Sequence, residues 1–163
     1  MDELAQWLRA QIDEDERIAR ATSWTHDANA WHAEPSPFGA RDGGQRWYVE
    51  DAMDDGVVSH VDPAASDDEG VARHIAEWDP ARVLREIDAK RRMFDRFTQA
   101  DAERTYIRER YRAAVLEGDD DRARRHQREL HEATLRLQIH RAVAGDLAAA
   151  CAGRPGYREE WRP

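Results

Sequence analysis

The chain has 163 residues, 36% of them charged, with a formal net charge of −9, a length that is expected to fold as one domain. A single cysteine, Cys151, excludes an internal disulfide and a cysteine-based zinc cage; no apolar run reaches the ~18 residues of a membrane span, and the acidic balance argues against general binding to nucleic acid or anionic membranes. Leu, Ile, Val and Phe together number only 25 residues, so a thin core is predicted, completed by a second copy of the chain.

Residues 2–21 are predicted to form a first helix, with Leu4, Trp7, Leu8, Ile12, Ile18 and Ala19 on one broad stripe at helical spacing. The opening "MDELAQWLRAQ" is acidic and amphipathic, unlike a signal peptide, and a reducing cytoplasm is the expected location. From 22 to 62, prolines and glycines punctuate short runs rich in aromatic residues and valine, "AWHA", "QRWYVE" and "VVSHV". Asp55-Gly56 reads as a turn, predicting a hairpin of 45–50 with 57–61, and Trp24 or Trp31 heads a third strand. "SDDEGVARHIAEW" restarts helix over 66–78: Ser66 and Glu69 have capping-box spacing, and Val71, Ile75 and Trp78 make the apolar stripe.

The next stretch, "DPARVLREIDAKRRMFDRF", begins a helix, because Asp79 suits the N-cap and Pro80 lacks the N–H that would be unpaired at the first helical position. Val83, Ile87 and Phe94 cluster on one side, Arg85, Arg92 and Arg96 on another, and Asp88 precedes Arg92 by the four residues that favour an ion pair. "TQADAERT" weakens the stripe, so Thr98 or Asp101 marks a new cap or a kink. Gly118 suits a helix end and Asp119 to Asp121 the start of the next. That last helix, 120–150, carries Leu130, Leu137, Ala144 and Ala148 on one side and Leu135, Ile139 and Ala142 on another, the pattern of a helix buried between layers. The predicted fold is mainly α with a small antiparallel β-meander: an N-terminal helix, two or three short strands, then a long antiparallel helical hairpin over 79–151 and a docking tail over 152–163.

Of the seven histidines, His126 and His131 face different directions, His126 and His140 lie ~20 Å apart at 1.5 Å per residue, and all are read as surface or half-buried side chains. His26, His32 and His60 are left as a set that the sheet could bring together. The paired acids of Asp13 to Glu16, Glu50-Asp51, Asp54-Asp55, Asp67 to Glu69 and Glu159-Glu160 read as solvated, since a helical metal-dependent hydrolase wants a second facing pair and 79–97 offers only Glu86 and Asp88. No nucleophile motif or nucleotide-binding loop appears, and no catalytic residue, metal or cofactor is predicted. Residues 1–79 carry a net −13 and residues 80–163 a net +4, so the best basic face joins Arg85, Arg92 and Arg96 to Arg122, Arg125 and Arg128. Trp7, Trp78, Tyr157 and Trp161 are the candidate interface anchors.

Three stretches, "LAQWLRAQIDEDERIARAT", "ARHIAEWDPARVLREIDAKRR" and "PGYREEWRP", resemble the actinobacterial and actinophage family of unknown function numbered 6221. They cover about a third of the chain; residues 98–140 differ from the family's usual middle, which often holds clustered cysteines, so a metal role from those members does not carry over. The resemblance implies a bacterial or phage origin and no particular activity. The expected function is a non-enzymatic interaction or regulatory module whose partner is itself, as a homodimer, or another protein; nucleic-acid binding is the first rival and a metal-dependent hydrolase the second.

Overall fold

A computed structural model describes residues 3–23, 25, 27–37, 46–61 and 68–162. Among them it is mainly helical, with four α-helices and one three-stranded antiparallel sheet. The chain divides into two compact units, one of Met1–Asp13 with Ala89–Pro163 and one of Glu14–Asp88. Among the described residues, no helix is long and apolar enough to cross a membrane.

Helix α1 spans Glu3–Ala21. Leu4, Ala5, Leu8, Ile12 and Ala19 are buried, all within an arc of about 100° at 100° per residue, whereas Ile18 lies outside it and is 50% exposed. Ile18 thus leaves the stripe that its spacing suggested.

The strands are β1 (Trp31–Pro35), β2 (Trp47–Asp51) and β3 (Gly56–Val61), paired antiparallel in chain order, so Trp31 heads the third strand. Alternation sends Trp31, Ala33, Trp47, Val49 and Val58 to one face, where α2 (Asp68–Glu77) covers them. The helix meets that face with Ala72 and Ala76, both buried, while Val71 and Trp78 of the predicted stripe stay 38% and 44% exposed. The sheet's own aromatics fill much of the space, so the helix presents alanines at its buried positions, and Ile75 of the predicted stripe packs beside them, half-buried. The β2–β3 turn also departs from its reading: the left-handed residue is Asp54, φ 63°, one before the Asp55-Gly56 pair. Aspartate tolerates that region because its short side chain bonds locally. Ser66, Trp24 and His26 lie outside the described residues.

Helix α3 runs Pro80–Leu116 without a break, so neither Thr98 nor Asp101 caps a new helix. The Thr98 hydroxyl donates to the Asp95 carbonyl at 3.0 Å, which satisfies it inside the helix. At the start, Asp79 Oδ1 accepts the Arg82 amide N–H. The helix ends in a Schellman turn: Gly118, φ 73°, donates to Val115 O at 3.2 Å and Asp119 to Ala114 O at 3.1 Å. Asp119 then caps α4 (Asp120–Ala149), its Oδ1 accepting the Arg122 N–H at 2.9 Å. The two helices pack closely. Buried Ala100 and Ala114 on α3, and Ala133, Ala144 and Ala148 on α4, keep their bulk small, while Arg136 reaches both Glu103 oxygens at 2.9 and 2.7 Å.

Candidate functional site

The aromatic candidates separate into two groups. The Trp7 ring meets Trp161 at 5.2 Å and Tyr157 at 5.9 Å, both tilted, and those two rings meet edge-on at 6.1 Å. The Trp7 indole donates to Pro155 O at 2.9 Å, and Arg158 pairs with Glu3. The tail therefore packs against the first helix, and Trp161, buried at 8% exposure, has little surface to offer a partner. Trp78 is instead exposed, with the Arg82 guanidinium 4.6 Å above its ring. Arg82 also pairs with Glu77 and Glu86.

The basic candidates differ in their pairing. Arg122 pairs with Glu117 and Asp119, whereas Arg85, Arg92, Arg96, Arg125 and Arg128 are exposed. The i,i+4 partner expected for Arg92 is not engaged, as it makes no ion pair among the described residues. Asp13 and Glu16, the acids closest to a helical metal pair, face Arg91 and Arg20, each at 2.7 Å.

Helix α4 shows an arrangement the sequence reading had turned inward. His126, Ala133, Leu137, Ala144 and Ala148 form its buried side. On the opposite side, Leu135 and Ile139 are 47% and 66% exposed and Ala142 is exposed with them. The second apolar side is thus a solvent-facing strip, where a layer had been expected to cover it. At 100° per residue, Arg128 and Asp146 lie on that same line, one at each end, and both are exposed without an ion pair among the described residues.

His126 is buried, where a surface or half-buried side chain is expected, and its Nδ1 lies 2.8 Å from Glu129 Oε2. That hydrogen bond holds the Glu129 carboxyl below its usual pKa of 4.5; partial desolvation opposes the shift, and the charges of His126, Arg110 and Arg125 support it.

The outer face of the sheet carries His32 and Glu34 on β1 and Tyr48 and Glu50 on β2. Register places His32 opposite Glu50, with Nε2 3.8 Å from Oε2. Asp54 joins them from the turn, and one donor atom from each of the three falls within 4.8 Å of the others. Asp51 holds this turn. The residue is 2% exposed, and its Oδ1 accepts the Met53 N–H at 2.9 Å and the Asp55 N–H at 3.1 Å. Asp51 is therefore a buried turn anchor, although the sequence reading had it solvated. Desolvation, then Glu50, Glu34 and Asp54, push the Tyr48 phenol above its usual 10.0, a sign of the negative field on this face. The earlier grouping of His32 with His26 and His60 rests on side chains outside the described residues. Period-two alternation on β1 and β2 would have put His32 and Glu50 on one face, but their register depends on the connection between the strands.

A shallow groove of about 550 Å³ lies in the first unit, lined by Ala5, Phe97, Ala102 and Tyr106 with Asp101 and Glu109. Its lining holds two acids and no basic residue. No curated protein and no solved structure matches the chain. The model of a family of unknown function, DUF6221, matches residues 1–163, including the 98–140 segment set apart above, and the chain belongs to that family.

Proposed function

We propose that the chain is a non-enzymatic interaction or regulatory module that self-associates through α4, as a cytoplasmic accessory protein of a bacterium or phage. The observation that carries this reading is the strip Arg128, Leu135, Ile139, Ala142 and Asp146, with its exposed apolar centre and unpaired, opposite charges at its ends. An antiparallel second copy, with the two-fold axis passing at Leu137, sets Leu135 against Ile139 and Arg128 against Asp146 in both directions. Such an interface is self-complementary, as two-fold symmetry requires. The low count of large aliphatic residues supports the reading, because a second copy would add apolar contact that one chain lacks. The bacterial or phage setting rests on the resemblance of the three stretches quoted above.

Sedimentation equilibrium tests the proposal. The wild-type chain is expected to dimerise in the micromolar range and Ile139→Asp to be monomeric. Arg128→Asp and Asp146→Arg should each weaken association, and the double exchange should restore it. A wild-type monomer throughout, or single exchanges without effect, would overturn the reading.

A further inference from the structure

We propose that His32, Glu50 and Asp54 form a binding site for a divalent first-row transition cation, with Zn²⁺ as the fitting ion. Their donor atoms, one imidazole nitrogen and two carboxylate oxygens, lie within 4.8 Å of one another. Zinc–ligand bonds of ~2.0–2.2 Å put neighbouring ligands of a tetrahedral ion about 3.4 Å apart, so the His32–Glu50 pair at 3.8 Å is already near that spacing. Asp54 is exposed, and rotation of its side chain closes the remaining gap.

The backbones that carry these ligands are fixed by separate means. Cross-strand register sets His32 against Glu50. The buried Asp51 carboxylate and the Asp54 N–H to Asp51 O bond of 3.0 Å set the turn that carries Asp54. Charge points the same way. Arginine pairs with Glu14, Glu16, Glu69, Glu77, Glu86, Glu103 and Glu117. Among the described residues, no arginine or lysine pairs with Glu50 or Asp54, so a divalent ion would bring to these two carboxylates the positive charge that arginine brings to the other glutamates. The imidazole selects the ion, since magnesium and calcium favour all-oxygen sites. Three protein ligands leave one tetrahedral position for water.

Untagged full-length protein titrated with Co²⁺, followed by displacement with Zn²⁺, tests the site. Wild type is expected to bind one Co²⁺ with visible d–d absorption, to release it to Zn²⁺ and to retain it against Mg²⁺ and Ca²⁺. His32→Gln should lose that absorption and weaken Zn²⁺ binding by more than about 100-fold, beyond the 10–100-fold cost of altering a ligand's outer partner. Asp54→Asn should do likewise, and it keeps a residue that tolerates the left-handed turn. His74→Gln, at an exposed histidine of α2, should change nothing. Circular dichroism confirms that each variant folds. The proposal is overturned if wild type does not bind, if Mg²⁺ displaces Co²⁺ as readily as Zn²⁺ does, or if folded His32→Gln and Asp54→Asn bind as wild type does.

Discussion

Gly156 sits at φ 83°, where a Cβ would fall 3.1 Å from Trp7 Nε1 and 3.2 Å from Cδ1. Gly156→Ala is therefore expected to cost at least about 1–2 kcal/mol from the left-handed backbone alone, and more once Trp7 is displaced from Trp161. Removing the buried ring outright, as Trp161→Ala, should cost ~3–5 kcal/mol. Trp78→Ala, at an exposed position, should cost far less. Urea unfolding followed by circular dichroism separates these cases, and equal effects for Trp78 and Trp161 would contradict the packing described. Glu129 supplies a pH dependence of definite sign. Its folded pKa is depressed below 4.5, so the stabilisation it contributes is complete above the unfolded value and is lost as pH falls through the folded one. Glu129→Gln should accordingly flatten the acid limb of the stability profile below about pH 4.5, and an unchanged limb would show that the His126 contact is not made in solution.

At the scale of elements, the hairpin turn depends on two residues with separable roles. Gly118 has φ 73° with open space where a Cβ would project, so Gly118→Ala pays only the backbone term, about 1–2 kcal/mol. Asp119→Ala removes the cap on the Arg122 N–H and should cost ~0.5–2 kcal/mol. Because the two act on one short turn, their effects should fail to add, which a double-mutant cycle in urea would measure. The continuity of α3 follows from similar local bookkeeping: Thr98 back-bonds to Asp95 O, and Ala100 is buried in helical register, so the polar stretch offers no reason to stop.

For the whole molecule, the proposed dimer makes stability depend on protein concentration, because a partner that binds only the folded chain stabilises it by mass action. The melting temperature of wild type should rise with concentration, whereas that of Ile139→Asp should not. The terminal Arg128–Asp146 contacts sit at the solvent edge of such an interface, so added salt should weaken association modestly and leave the Leu135–Ile139 contribution in place.

The helices, the caps at Asp79 and Asp119 and the three short strands were legible in the chain because they rest on local physics: 3.6-residue and two-residue periodicity, Asp79-Pro80, Gly118-Asp119, and the aromatic runs of the sheet. Family membership was likewise readable from three short stretches. What faces what was not. Val71 and Trp78 looked like the stripe of α2, yet Ala72 and Ala76 meet the sheet because its tryptophans already fill much of the layer. Leu135 and Ile139 looked internal, yet their side of α4 faces solvent. His32, Glu50 and Asp54 are separated by up to 22 positions and come together only through strand register and the Asp51-held turn. Periodicity tells a residue's side of its own element; burial and convergence depend on the shape of the neighbour, and only the tertiary structure decided that.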